Sequence, residues 1–514
     1  MLMIHHLTLT HRRDRRVLVN DFSFVLGRTD RAVLIGEEGN GKSTLLKWIY
    51  DPALTEDYIE ADGVRTLQGE LLGYLPQELA AEDRGRTVYE YFSRIDAFSE
   101  AGPATLHRLA ADLRFDEALF YADRPMGSLS GGERIKLQLA GVLLARPDIL
   151  LLDEPSNDLD IDTLEWLEEM IRAFPGAVLF ISHDETLISR TADRVILLEQ
   201  LRRGTVPRVT VANVPFEQFR RERSRAFAKQ EQEALSERRE EKKAMEKFRR
   251  IREKVEHAQA SVSRQDPSTG RLLAKKMKAV KSLERRYERG HEEMTARPEE
   301  ESPITIRFER QRPMPAGKTV CEGTVPQLRA PDGRVLARNL TMRVRGPEKV
   351  AVIGANGIGK STWLREVAGQ LLGREDITAC YMPQDYGEVL PYDSTPVEFL
   401  APSGSREEAT RVRTYLGSLK FTEEEMFHAI RGLSGGQKAK LLLLKMSLTE
   451  ADVLILDEPT RNFSPLSAPE VRAILRQFPG AIISVSHDRV YLREVCDTVY
   501  RMTAEGFIAR PFGT

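Results

Sequence analysis

Gly36-Glu37-Glu38-Gly39-Asn40-Gly41-Lys42-Ser43 and, 318 residues on, Gly354-Ala355-Asn356-Gly357-Ile358-Gly359-Lys360-Ser361 decide the fold. Each stretch follows a short apolar run, Ala32-Val33-Leu34-Ile35 or Val350-Ala351-Val352-Ile353, that reads as a buried strand. Each precedes a helix-like stretch, Thr44 to Ile49 or Thr362 to Val367. Strand, glycine loop and helix together are the context of a phosphate-binding loop. The glycines let backbone amides wrap phosphate oxygens, and the helix N-terminus adds a favourable dipole. Gly36, Gly39, Asn40, Gly41 and Thr44, with Gly354, Asn356, Gly357, Gly359 and Thr362, are therefore expected to cradle a nucleotide. Lys42 and Lys360 are expected to reach its β- and γ-phosphates, and Ser43 and Ser361 to ligate Mg²⁺.

Working outward, more of the chain repeats. Leu129-Ser130-Gly131-Gly132-Glu133 recurs as Leu433-Ser434-Gly435-Gly436-Gln437, and the run ending Asp153-Glu154-Pro155 recurs as the run ending Asp457-Glu458-Pro459. Ser182-His183-Asp184 recurs as Ser486-His487-Asp488, and all three pairs keep an offset of 304. Tyr74-Leu75-Pro76-Gln77 pairs with Tyr381-Met382-Pro383-Gln384 at an offset of 307. The runs before Asp153 and Asp457 read as strands buried on both faces of a parallel sheet. Their acids fall at the C-terminal edge, where such sheets bind ligands. Asp153 and Asp457 are expected to hold Mg²⁺ through water, and Glu154 and Glu458 to polarise an attacking water. Ser-His-Asp in direct succession is no hydrolase triad, since three consecutive residues cannot converge on one substrate atom.

Two such copies resemble the ATP-binding cassette superfamily. The resemblance implies ATP as the substrate and Mg²⁺ as the cofactor. It makes His183 and His487 switch histidines at the γ-phosphate, and Gln77 and Gln384 sensors of Mg²⁺ and water. It makes Ser130, Gly131 and Gly132, like Ser434, Gly435 and Gly436, the second anion site, ahead of helices at Glu133 to Leu144 and Gln437 to Leu448. One ATP then lies between Lys42 and Ser434 and the other between Lys360 and Ser130, so that ATP joins the two halves and hydrolysis releases them. The copies differ. Ser156-Asn157-Asp158-Leu159-Asp160 follows the first Asp-Glu-Pro in the usual D-loop pattern, whereas Thr460-Arg461-Asn462-Phe463-Ser464-Pro465 lacks the final Leu-Asp. The adenine-stacking aromatic is missing or altered: His11 falls near its place in the first copy, and no aromatic stands around Pro331-Asp332-Gly333. The two sites are expected to differ in affinity or turnover.

Charge isolates a third region. The 514-residue chain has a net charge of -2, with 76 Lys+Arg against 78 Asp+Glu, which excludes a uniformly basic nucleic-acid binder. From Arg220 to Arg297, however, there are 24 Lys+Arg and 14 Asp+Glu, a net of +10, which leaves about -12 for the rest. Phe248, Ile251, Val255 and Ala258 repeat at helical spacing, as do Leu273, Met277, Val280, Leu283 and Tyr287, around the turn cluster Ser263 to Gly270. The spacing predicts two long helices in an antiparallel hairpin, the first from about Phe216 to Ala258 and about 60 Å long. Arg264, Arg271, Lys275, Lys276, Lys278 and Lys281 cluster at its tip as candidate RNA contacts. A solvated charged hairpin is the plainer reading of the same run. The domains are thus 1–215, 216–300 and 301–514: α/β, two P-loop cassettes joined by a helical hairpin.

Cys321, Cys380 and Cys496 are the only cysteines and form no C-x-x-C pair, so neither a disulfide framework nor a thiolate zinc cluster is expected. No apolar run approaches the ~18 residues of a membrane span. Arg12, Arg13, Arg15 and Arg16 follow the apolar start, the reverse of a signal peptide, and point to a cytoplasmic protein. Two cassettes, no membrane domain and a charged helical linker resemble the ABC-F family. That resemblance implies a 70S ribosome partner, binding at the E site, with the linker tip directed toward 23S rRNA, the P-site tRNA and the peptidyl-transferase centre. It also implies a monomer whose own cassettes pair. Gln77 to Ser130 is only three residues longer than Gln384 to Ser434, which leaves little room for the extra arm of housekeeping members. The layout, with Gly270-Arg271-Leu272-Leu273-Ala274-Lys275-Lys276-Met277, is similar to members that protect ribosomes from lincosamides, pleuromutilins or streptogramin A. A housekeeping translation factor, the motor of a separate membrane transporter and a DNA-repair ATPase are the alternatives. The last would need zinc-cysteine modules or a very long coiled coil.

Overall fold

The structure is a computed structural model that describes residues 1–201, 205–260, 275–280, 282, 304, 306–308 and 313–510. The chain divides into two compact units, one of Met1–Phe216 with Glu301–Thr514, the other of Glu217–Glu300. The first unit holds both cassettes.

Each cassette is built on a six-stranded sheet. In the first the order is Leu72–Leu75, Ile149–Asp153, Ala177–Ile181, Arg31–Ile35, Arg194–Gln200 and Val206–Ala212, parallel except for the last strand. The second repeats it as Ala379–Met382, Val453–Asp457, Ala481–Val485, Lys349–Ile353, Thr498–Thr503 and Gly506–Arg510. Ile149–Asp153 and Val453–Asp457 are buried along their whole length, as expected of strands with helices on both faces. An antiparallel layer sits beside each sheet. It is Val17–Leu26, Leu2–His11 and Ile59–Thr66 in the first cassette, and the hairpin Thr319–Arg329 with Val335–Arg345 in the second. Leu2, Ile4, Phe22 and Phe24 from that layer pack with Leu45, Trp48, Leu151 and Leu179 in one core.

The helices after the glycine loops run from Lys42 to Tyr50 and from Lys360 to Leu372, longer than the expected stretches. The signature helices begin at Gly131 and Gly435 rather than at Glu133 and Gln437. Ser130 and Ser434 are their N-caps, and each forms a capping box with Glu133 or Gln437. The residues expected to open the helix are instead its third positions, where they reach back to the cap.

From the last residue of the first unit's opening segment into the second unit one helix runs for 45 residues, Phe216–Ala260, about 67 Å at ~1.5 Å per residue. Residues 275–280 are also helical. Phe248 and Val280 are buried, whereas Ile251, expected on the same apolar stripe as Phe248, is exposed. The turn cluster 263–270 and Leu273, Leu283 and Tyr287 lie outside the described residues, as do the side chains of Val255 and Ala258.

Candidate functional site

The two glycine loops leave the middle of their sheets and turn sharply into helices. Gly36 stands at φ 152°, and a Cβ there would lie 2.3 Å from the carbonyl oxygen of Leu198. Only glycine lets the loop pass the neighbouring strand this closely. The loop lysines are buried and turn inward. Lys42 Nζ donates to the carbonyls of Gly36 and Glu37 at 2.8 and 2.9 Å, and Lys360 Nζ to those of Gly354 and Ala355 at 2.8 and 3.1 Å. An ammonium has three donors, so one remains on each for a ligand.

Ser43 Oγ donates to Asp153 Oδ1 at 2.9 Å, and Tyr74 donates its hydroxyl to Oδ2 at 3.2 Å. Burial pushes Asp153 up to about 6. Asp457 is likewise raised by burial, opposed by a hydrogen bond from Ser361, and its Oδ1 is buried with no partner. A buried, unpaired carboxylate oxygen beside a serine hydroxyl fits a hydrated divalent cation. Among the described residues no group of three or more His, Cys, Asp or Glu forms a cage. One carboxylate with a hydroxyl suits Mg²⁺ held jointly with phosphates.

Glu154 and Glu458 follow the strand ends in left-handed backbone, at φ 50° and 49°. Such strain costs ~1–3 kcal/mol and persists where the surrounding structure fixes it. Their surroundings differ. His183 Nε2 lies 2.9 Å from Glu154 Oε1, and its Nδ1 meets the carbonyl of Phe463 in the second cassette at 3.0 Å. Burial would raise Glu154, but His183 and Lys42 hold it below the usual carboxylate range. His487 Nε2 is 3.9 Å from Glu458, and its Nδ1 is buried without a partner. Burial, with Asp457 adjacent, pushes Glu458 up to about 8, and burial, with Lys360 nearby, pushes His487 down to about 3.

The cassettes face each other across both sites. Lys360, Ser361, Gln384, Asp457, Glu458 and His487 line a cleft of about 510 Å³ with Gly131 of the first cassette. Ser130 and Gly132 line an adjoining cleft with Asn356. Lys42, Ser43, Thr44, Gln77, Glu154 and His183 line another of about 550 Å³ with Arg461 and Asn462 of the second cassette. Gly131 is pressed against the first D-loop, where a Cβ would lie 2.4 Å from the carbonyl oxygen of Asp158. Asn356 of the second loop donates to the same carbonyl.

Sequence reasoning missed three features. Glu38 Oε2 accepts from the backbone N–H of Gly436 at 3.0 Å, so the second signature already holds a carboxylate. Glu37 Oε1 accepts from Ser464 and Ser467, and no spacing rule could foresee contacts across 427 and 430 residues. Tyr58 joins His11 in the first cleft, and its hydroxyl is bonded to Thr44. In the second cleft Ala330, Arg334 and Leu336 stand in that region. Of the linker residues, Lys275, Lys276 and Lys278 are exposed, and Arg264, Arg271 and Lys281 lie outside the described residues.

The family model described as ABC transporter matches residues 19–157 and 337–461. The chain belongs to that family: it is an ATPase with two ATP-binding cassettes in tandem. Among the described residues no helix is long and apolar enough to cross a membrane. The probable ATP-binding protein YheS of Escherichia coli K12 is 28% identical over 541 residues, covering 97% of this chain and 78% of its own. The ribosome protection protein VmlR of Bacillus subtilis is 29% identical over 481 residues, covering 90% and 80%. With tandem cassettes around a helical insertion, these relatives are those of an ABC-F protein. The archaeal ribosome recycling factor aABCE1, solved with the ribosomal stalk protein aP1, superposes with a TM-score of 0.59 at 17% identity, covering 99% of this chain and 90% of that one. That likeness is one of fold.

Proposed function

We propose that the chain is a ribosome-binding ABC-F ATPase that binds the E site when its cassettes are closed by ATP. Its linker tip then reaches toward the P-site tRNA, 23S rRNA and the peptidyl-transferase centre, and it protects the ribosome from large-subunit antibiotics. The observation that carries this reading is the insertion. Along the chain, a 45-residue charged helix and the exposed Lys275, Lys276 and Lys278 fall after the first cassette and before the second. Similarity to VmlR, itself named a ribosome protection protein, over 90% of this chain supports it.

In this reading the loop amides and lysines hold two ATP molecules, and each signature contacts the γ-phosphate held by the opposite cassette. Ser43, Gln77 and Asp153, with Ser361, Gln384 and Asp457, would hold Mg²⁺, which would neutralise phosphate charge. Glu154 and Glu458 take a proton from the attacking water, and His183 and His487 orient the γ-phosphate.

A Glu154→Gln/Glu458→Gln double variant should close on ATP and co-sediment with 70S ribosomes. Free sedimentation at physiological salt would overturn ribosome binding. Expression in a drug-sensitive host, wild type against a Gln265–Gly270 deletion, tests protection. Retained ribosome binding with no change in susceptibility to any large-subunit drug would point to a translation factor instead.

A further inference from the structure

Behind the nucleotide sites, four buried charges join the cassettes. Arg472, on the helix Ala468–Gln477, places Nη1 and Nη2 at 2.6 and 3.1 Å from the two oxygens of Glu185, on the helix Glu185–Thr191. Arg489, on the helix Arg489–Val495, pairs with Glu168, on the helix Ile161–Ala173. None of the four is more than 9% exposed.

The two pairs are one pair seen twice. At the offset of 304 that relates the copies, Glu168 corresponds to Arg472 and Glu185 to Arg489. The contact Arg472–Glu185 is therefore the symmetry counterpart of Glu168–Arg489, with every charge reversed. The supporting partners reverse as well. Arg190 holds Glu168 at 2.9 Å in the first cassette, and its counterpart Glu494 holds Arg472 at 2.9 Å in the second. The surroundings do not reverse. Leu167 and Ile171 match Val471 and Leu475, and Asp184 matches Asp488. Neighbouring positions on the same helices thus keep their character while these four charges change sign.

We propose that this exchange is a pairing code, which lets a first cassette close only on a second. Two first cassettes brought together by the same operation would set Glu168 against Glu185, two buried carboxylates with no cation supplied from across the interface. Two second cassettes would set Arg472 against Arg489. Buried charge without a partner is strongly unfavourable, and like charges across an interface exclude wrong partners. Tandem cassettes raise the local concentration of the right partner, and the code removes the competing like-with-like pairs between chains. This inference rests on the contacts between cassettes and is independent of what the linker binds.

Full-length variants test it. Arg472→Glu with Arg489→Glu makes both cassettes acidic at this face; Glu168→Arg with Glu185→Arg makes both basic. Each variant alone should lose ATP turnover by about tenfold or more. Mixing the two should restore turnover and give, in the presence of ATP, a species of doubled mass in light scattering. The chain carrying all four substitutions should recover turnover without a partner. Wild-type turnover in either one-sided variant would overturn the proposal. So would variants that melt like wild type yet recover neither on mixing nor in the fourfold exchange. The milder exchange Glu185→Arg with Arg472→Glu guards against misfolding: it should melt like wild type and outperform both of its single substitutions, and failure to do so also overturns the code.

Discussion

Glu37 in the first phosphate loop accepts a hydrogen bond from Ser464 in the second cassette, with 2.6 Å between carboxylate and hydroxyl oxygens. Ser467 donates to the same oxygen at 2.5 Å. In the other half of the molecule the acid stands on the opposite side. Asp160 ends the first D-loop and accepts from the backbone N–H of Asn356, while the loop position matching Glu37 is Ala355. The departure of Thr460–Ser464 from the usual D-loop pattern is thus accompanied by an acid supplied from across the interface. Hydrogen bonds to a charged group are worth ~1.5–3 kcal/mol. Glu37→Ala should weaken closure of the first site by about that amount, raising the ATP concentration for half-maximal turnover in a Glu458→Gln background. Adding Ser464→Asp, which recreates the Asp160–Ala355 arrangement, should recover most of the loss. A double variant no better than Glu37→Ala would show that the acid's position does not matter.

The two glutamates that follow the strand ends should not be equivalent. His183 touches both Glu154 and the carbonyl of Phe463, so in the first site the glutamate, the histidine and the opposite cassette form one chain of contacts. His487 stands 3.9 Å from Glu458 and has no partner on Nδ1. Removing a general base costs ~10²–10⁴ in rate. Glu154→Gln should therefore lower total ATP turnover more than Glu458→Gln, measured as phosphate release from each single variant. Equal losses would mean that the contact through Phe463 does not favour the first site.

Much of the machine was legible because its motifs are local. A glycine loop between strand and helix, a buried run ending in Asp-Glu and a serine cap ahead of a helix each show themselves within about ten residues. The contacts that distinguish the two sites are not local. Glu37 and Glu38 occupy positions that the loop pattern leaves free, and their partners Ser464 and Gly436 are about 400 residues away. Tyr58 reaches the first cleft from a turn that no nucleotide motif includes. Glu168 and Arg472 could be aligned from the repeat, but their opposition gains meaning only once each is seen paired with a charge of the other cassette, Glu168 with Arg489 and Arg472 with Glu185. The signature helices began earlier than expected for a related reason: Ser130 and Ser434 act first on their own helix ends.

The linker lysines should reveal themselves through salt. Lys275, Lys276 and Lys278 are exposed on one short helical stretch. Each phosphate contact made by a lysine contributes ~0.7–0.9 to the slope of log affinity against log salt. Replacing all three with glutamine should reduce that slope by about 2–3. Binding of the Glu154→Gln/Glu458→Gln variant to ribosomes across a salt series measures it. An unchanged slope would assign these lysines to solvent, as on an ordinary charged helix.

Cysteine chemistry gives a test of packing that needs no ligand. Burial pushes the Cys496 thiol up to about 12, and burial also raises Cys321 and Cys380. The thiolate is the reactive form, so at pH 8 a group titrating near 12 is ionised to only ~10⁻⁴. Iodoacetamide should therefore leave Cys496 unmodified in the folded chain at pH 8 over a period that labels all three cysteines in denaturant. Because the raised value disfavours the charged form, labelling should speed up roughly tenfold for each unit of pH above 8 while the fold persists. Mass spectrometry of peptides from native and denatured samples reads the contrast. Rapid labelling of Cys496 in the native chain would mean that the helix Arg489–Val495, which precedes it and carries one arginine of the buried charge cluster, opens readily to solvent.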